Sequence, residues 1–303
     1  MAAFTHRTAS DFYKSKFGCK VYKISLDAGC TCPTRDGTLG TRGCIFCSAG
    51  GSGEFAASRE KPISEQVRDA INLVSRKAHG RSGKNEAKYI AYFQNFTNTY
   101  GDCNTLEEKY RAALASDPDI VGIAIATRPD CLGDEILSRI ARLSKETFVQ
   151  VELGLQTAHE KTADYIRRGY KTTVYDDAMR RIKAASPDIH IVTHIIFGLP
   201  GETDNDMMET VKHVVQQRTD GIKCTVLYIL EGTDIAADYR AKKFDCLTQD
   251  EYFLLLRRAL ALIPPEIVIH RLTGDGPKNL LIAPLWTADK RRVQNELAHF
   301  LHF

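Results

Sequence analysis

The chain has 303 residues, 43% of them hydrophobic and 26% charged, with a formal net charge of +3. That is the balance of an ordinary globular protein with room for one large core or two modest ones. No apolar run approaches the roughly 20 residues of a membrane helix and the first twenty residues lack a secretory apolar stretch, so a cytoplasmic protein with no membrane partner is expected.

Past an N-terminal arm (1–18), Lys20–Leu26 reads as a strand that feeds directly into a glycine-rich loop holding Cys30, Cys32, Cys44 and Cys47. Ser64–His79 carries Val67, Ala70, Ile71 and Val74 at helical spacing, and a polar connector follows at Gly80–Glu86. Lys88–Phe93 predicts a second strand and Leu106–Ala115 a helix. Ile120–Ala126 is continuously apolar, as a strand buried on both faces should be, and Asp134–Leu143 is helical. Phe148–Leu153 is strand four, with helices over His159–Arg168 and Thr173–Ala185. Ile189–Phe197 is strand five, Asp204–Gln217 its helix, and Ile222–Ile229 strand six. Beyond Gly232 the alternation loosens: Gln249–Ile263 is a helix stopped by Pro264-Pro265, Glu266–Leu272 is a further candidate strand, and Thr287–Leu301 is an amphipathic helix.

Six strand–helix units joined by short connections demand a parallel sheet with helices outside it. Ligand-binding groups of a β/α barrel gather just past the strands' C-terminal ends. There the sequence places the cysteine loop, Gln94–Thr97, Thr127–Pro129, Gly154–Gln156 and Gly198–Glu202. The expected fold is α/β: a partial (β/α)6 TIM-like barrel over 19–232, with a C-terminal extension over 233–303.

Clustered cysteines outside an oxidising compartment serve metals or chemistry more often than disulfides. Cys30, Cys32, Cys44 and Cys47 could close a structural zinc site. Three of them could instead hold an iron–sulfur cluster with one iron left open. A structural zinc has no reason to face a ring of polar strand ends at a barrel mouth, whereas a reactive cofactor does.

Cys32-x11-Cys44-x2-Cys47, with Phe46 between two of the thiols, resembles the cluster loop of radical S-adenosylmethionine (SAM) enzymes. VELGLQTAHEKTADYIRRGY (151–170) and THIIFGLPGET (193–203) resemble the branch containing the Elongator catalytic subunit and oxygen-independent coproporphyrinogen dehydrogenase. CPTRDGTLGTRGCIFC, YFQNFTNTYG, TRPDCL and RLTGDGP look closer still to a short bacterial group of unassigned substrate, and the likeness runs over nearly the whole chain. Ala126 stands where relatives often carry an acid, and Gln94-Asn95-Phe96 replaces their glycine-rich turn.

The resemblance implies a [4Fe–4S] cluster on Cys32, Cys44 and Cys47. It further implies SAM contacts from Phe46, Gln94, Asn95, Thr97, Thr127, Arg128, Glu152, Gln156, Arg168 and His194, with Arg168 matching the residue that pairs with the SAM carboxylate. A low-potential electron donor of flavodoxin or ferredoxin type would reduce the cluster. SAM would then yield a 5′-deoxyadenosyl radical that abstracts hydrogen from a substrate the sequence does not name, with an RNA base, as in tRNA, one target. The competing expectation is a non-catalytic, zinc-stabilised nucleic-acid-binding module. The cationic runs Arg180–Lys183, Arg240–Lys243 and Lys290–Arg292 are consistent with nucleic acid but also with ordinary solvated helix faces.

Overall fold

A computed structural model describes residues 6–51, 53, 56–78, 87–274 and 276–301; the expected connector Gly80–Glu86 and the last residue of the helix Ser64–His79 lie outside them. The chain opens with α1 (Ala9–Phe17), β1 (Val21–Leu26), α2 (Ile63–Ala78), β2 (Lys88–Phe93) and α3 (Cys103–Ala115). It continues through β3 (Ile120–Thr127), α4 (Asp134–Leu143), β4 (Phe148–Gln156), α5 (Glu160–Tyr165), α6 (Thr172–Ala185), β5 (His190–Phe197) and α7 (Asp204–Gln216). β6 (Gly221–Val226), β7 (Ile229–Leu230), α8 (Asp234–Arg240), α9 (Gln249–Leu262), β8 (Val268–Arg271), β9 (Leu281–Ala283) and α10 (Lys290–Leu301) complete it.

Seven strands form one parallel sheet in the order β1-β2-β3-β4-β5-β6-β8. The six expected units are present, and β8 adds a seventh strand from within 233–303. Several expected boundaries move, among them the start of α3, at Cys103 and not Leu106, and of α10, at Lys290 and not Thr287. Ile222–Ile229 is two strands, because the chain leaves the sheet after Val226 and β7 pairs antiparallel with β9. The helix expected to reach Arg168 stops at Tyr165, and Arg167 turns left-handed at φ 56°. β4 runs three residues further than expected, to Gln156.

Side chains alternate across each strand. Ile24, Leu26, Ile123, Ile125, Val151, Leu153, Ile191, Ile195, Ile222 and Cys224 point outward into one core shared with the helices. The opposite faces turn into the barrel, and contacts across it measure the curl. Lys23 of β1 lies 2.6 Å from Glu152 of β4, although three strand spacings in a flat sheet would separate those backbones by about 14 Å.

The N-terminal segment fits the barrel's lower end. Ile269 N donates to Arg7 O (2.9 Å), so the arm runs beside β8. α1, held by a Thr8/Asp11 capping box, lays Phe12 on the His190 ring (centroids 4.5 Å) and sends the Tyr13 hydroxyl to Gln150 Oε1 (2.7 Å). Tyr13, Ile90, Tyr92, Ala124 and Phe148 form a small apolar plug there.

Candidate functional site

The loop between β1 and α2 is folded by its own backbone. Arg35 N and Asp36 N donate to Cys32 O, Gly43 N donates to Thr34 O (2.7 Å), and Cys47 N donates to Cys44 O (3.1 Å). Arg35 joins the two halves by giving Nη2 to Cys47 O (3.1 Å) and Ser48 O (2.6 Å). Neighbouring strand ends then fix the loop in place: Thr97 N donates to Thr31 O, Phe96 N to Gly51 O and Ile45 N to Ile166 O. Gly51 has to be glycine, since its φ is +61° and a Cβ there would stand 2.5 Å from the Phe96 ring.

On this scaffold Cys32 Sγ lies 3.1 Å from Thr34 Oγ1, and Cys44 Sγ points at Arg167 O (3.6 Å). A hydrogen bond with Cys47 and burial push the Cys44 thiol up, with the Cys32 thiol among the groups that add to the shift and the positive charge of Arg128 opposing it. Cys30 is elsewhere. It continues the outward alternation Ile24, Leu26, Ala28, Cys30 into the main core, where burial raises its thiol to about 11. One zinc would need four sulfurs about 3.8 Å apart. Among the described residues only His159, Asp206 and Glu209 bring three ligand atoms within 4.8 Å of one another. The zinc reading therefore loses its fourth ligand. Three thiols on one loop, beside the Arg128 guanidinium, fit a polynuclear cluster with one iron left open.

The residues expected to surround the site fall into three groups. Glu152 and His194 come together inside the barrel, 2.8 Å apart. Gln94, Gln156, Arg128 and Phe46 stand around the rim. Gln94 accepts from Ser25 Oγ (2.9 Å). Gln156 sits at φ 60° beside Tyr170. Arg128 grips Asp130 with two hydrogen bonds (3.0 and 2.7 Å) and lies over the Tyr170 ring. Phe46 packs toward Ile45, Ile166 and Leu199. Glu152 and Gln156 both lie on β4, with a break in the β4–β5 register between Gly154 and Gln156.

Asn95, Thr97, Thr127 and Arg168 lie behind the rim. Asn95 is buried, gives Nδ2 to Asp27 (2.9 Å) and fills the space where Gly53 lacks a Cβ. Thr127 Oγ1 meets Thr99 Oγ1 at 2.5 Å. Arg168, 1% exposed, gives Nη1 to Leu155 O (2.9 Å) and Thr157 O (2.6 Å), Nε to Tyr170 O (3.0 Å) and Nη2 to Thr172 Oγ1 (3.1 Å).

Glu152 organises the lumen. Fully buried, it accepts from Lys23 (2.6 Å), Tyr92 (2.6 Å), Gln150 (2.6 Å), His194 (2.8 Å) and Lys223. Burial alone would raise its carboxyl; Lys223 and Lys23 instead hold it well below the usual range. An ionised Glu152 requires the proton of His194 on Nε2, and burial with Lys223 nearby keeps that imidazole neutral, at about 4. Lys223 is lowered to about 7, first by burial and then by Lys23 and Arg271, against the pull of Glu152. Lys23, Tyr92, Lys223 and Tyr170 are not among the residues expected at the site. The signal was present: a lysine inside the strand runs KVYKISL and GIKCTV is anomalous in a parallel sheet covered on both faces.

Residues 38–214 match the family model described as the radical SAM superfamily, and 219–302 match the radical SAM C-terminal domain. The uncharacterized protein YtqA of Bacillus subtilis is 43% identical over 95% of this chain and 87% of its own length. A tRNA uridine(34) acetyltransferase of Methanocaldococcus jannaschii is 22% identical over 60% of this chain and 33% of that protein. Among solved structures, the archaeal Methanocaldococcus infernus Elp3 with an N-terminal deletion superimposes with a TM-score of 0.70 at 15% identity. The match covers 93% of this chain, which spans only 62% of the Elp3 chain. That likeness shows the fold, a partial barrel.

Proposed function

Because the chain belongs to the radical SAM superfamily and is therefore an enzyme of that class, we propose that Cys32, Cys44 and Cys47 hold its [4Fe–4S] cluster and that SAM binds the open iron beside them. The observation that carries this reading is the separation of four nearby cysteines into three on the mouth loop and one, Cys30, committed to the core. When bound and reduced by a flavodoxin- or ferredoxin-type donor, the cluster supplies the electron that splits SAM into methionine and a hydrogen-abstracting 5′-deoxyadenosyl radical.

The chain's own residues bind, orient and exclude water. Gln94 and Gln156 offer amide groups from the ends of β2 and β4, Arg128 a cation next to the thiols, and Phe46 an apolar wall. Asn95 and Thr127 shape the site through side-chain bonds to Asp27 and Thr99, and Thr97 through its backbone bond to Thr31. Arg168 acts in the same way, since its hydrogen bonds to three carbonyls leave little for a ligand carboxylate.

The substrate we propose is an RNA base, as in tRNA. Support comes from the Elongator-like motifs and from the relative whose name specifies a tRNA uridine. The cationic runs add nothing to it: Arg180, Arg181 and Lys183 pair with Asp177, Asp134 and Asp220, and Arg240, Lys243 and Arg292 with Glu231, Asp238 and Glu296.

Anaerobic reconstitution tests the ligand set. Cys44→Ala should lose both the iron–sulfur absorbance and dithionite-driven release of 5′-deoxyadenosine from SAM, while Cys30→Ala keeps both. Loss in both variants overturns the assignment. Bulk tRNA should raise 5′-deoxyadenosine release above the substrate-free rate; peptide or small-molecule fractions doing so instead would overturn the substrate.

A further inference from the structure

The barrel is wet on the inside. Along the upper half of the strands the inward residues Ser25, Ala126, Gln156, His194, Ile196 and Thr225 are partly exposed, while their outward neighbours Leu26, Ile125, Leu155, Ile195 and Val226 are buried. Of the groups that contact Glu152, His194 is the most exposed, at 29%, and marks the upper edge of the cluster. Two ammonium groups, Lys23 and Lys223, share that single carboxylate. Glu152 receives five donors, whereas a carboxylate offers about four lone-pair sites. Its charge is already met by Lys23, and its oxygens by Tyr92, Gln150 and His194. Lys223 is thus one cation and one donor more than Glu152 needs; its other polar neighbour is the Tyr92 hydroxyl at 3.5 Å. A buried positive charge in surplus focuses an attractive field for anions within low-dielectric walls.

We propose that Lys223 anchors the substrate by binding a compact oxyanion that it carries, a carboxylate or a phosphate. Lys23 supplies a second positive charge across Glu152. This rests on the lumen being the substrate chamber of the enzyme proposed above; a nucleotide drawn into the barrel would bring the oxyanion as its own phosphate or as a carboxylate on its base. The groups facing Lys223 are Tyr13 from α1, Lys23 from β1, Tyr92 from β2, Glu152 from β4, His194 from β5 and Arg271 from β8. Of these Glu152 is the acid that is ionised near neutrality. At about 7, Lys223 is half protonated in the absence of an anion, and a bound oxyanion would draw the proton back.

The test is titration of the anaerobic, cluster-loaded protein with sodium phosphate, sodium acetate and, as control, sodium chloride at constant ionic strength. Binding is read as a shift in the thermal midpoint at pH 6.0 and 8.5. Phosphate or acetate, but not chloride, should stabilise the protein, at least threefold more tightly at pH 6.0. Phosphate alone identifies a phosphate site, and acetate alone a carboxylate site. Lys223→Met should weaken binding tenfold or more, Lys223→Arg should restore it to within about threefold, and Lys183→Met, at a surface pair, should leave it unchanged. Equal binding by wild type and Lys223→Met, or no distinction from chloride, overturns the proposal. Should Lys223→Met fail to fold, the pH dependence and Lys223→Arg decide. Substrate-free 5′-deoxyadenosine release is measured in parallel: its retention with no anion effect sinks only this inference, and its absence sinks the enzymatic reading and, with it, the assignment of the anion to a substrate.

Discussion

Glu152 on β4 and Lys23 on β1 meet at 2.6 Å across the lumen, with side-chain exposures of 0% and 19%. Their contact, with Lys223 completing it from β6, ties three strands that are not neighbours in the sheet. Removing one member of a buried charged set leaves the others uncompensated, at about 3–5 kcal/mol. Glu152→Gln should therefore destabilise the protein by that order in urea at pH 7.5, because the Lys23 ammonium and the protonated fraction of Lys223 then face no anion. Glu152→Gln combined with Lys223→Met should recover part of the loss. If Glu152→Gln unfolds at the wild-type midpoint, the cluster contributes nothing to the curl.

Lys223 gives stability a pH dependence of definite sign. Its folded value is lowered, to about 7, from an ordinary 10.5. Between those values the unfolded chain binds the proton and the folded chain does not, so stability gains from this group as pH rises from 7 toward 10 and is penalised below 7. The opposite window belongs to Glu152: its folded value is depressed, so its contribution is present above about 4.5 and is lost as pH falls through the folded value. The free-energy difference between wild type and Lys223→Met should move toward wild type by more than about 1 kcal/mol from pH 7 to 9.5. A difference independent of pH would mean that Lys223 stays charged throughout.

The strands could be read from the sequence because each is a short apolar run bounded by turn residues, and a parallel order follows from alternating strands and helices. The role of Cys30 was not read, although the alternation Ile24, Leu26, Ala28, Cys30 carries the outward face of β1 past the strand's end. The pairing of Lys23 with Glu152 was not legible, since residues 129 apart meet only once the sheet curls. Nor could Arg168 be understood from a motif match. Its commitment depends on the left-handed Arg167, which ends the helix early and turns the next side chain back under β4.

On the reading proposed above, Arg168 positions the end of β4 instead of binding SAM. Three of its hydrogen bonds go to the carbonyls of Leu155, Thr157 and Tyr170, which no other side chain replaces if the guanidinium is removed; each unsatisfied buried group costs about 1–3 kcal/mol. Arg168→Met should lower the denaturation midpoint of the cluster-free protein, where no SAM is bound, by an amount equivalent to at least about 3 kcal/mol. Arg168→Lys should rescue little, since an ammonium lacks the planar fork. A variant with wild-type stability whose only defect is weaker SAM binding would restore Arg168 to the cofactor.

Asn98 does for the second strand end what Arg168 does for the fourth. Its Nδ2 lies within 3.0 Å of Phe93 O and Asn95 O and 2.9 Å from Ala126 O, and Tyr110 caps its own carbonyl. These bonds set the turn that carries Gln94, Asn95 and Thr97 to the cysteine loop. Its Oδ1 is buried without a partner, so the residue is held as a donor. Asn98→Ala deletes the donor and should cost about 2–3 kcal/mol. Asn98→Asp keeps the shape but turns an acceptor onto three carbonyls, and should cost more at pH 8 than at pH 5, where a proton restores one donor. Urea denaturation of the two variants at both pH values checks the order; Asn98→Asp as stable as wild type at pH 8 would show that the amide does not hold this turn.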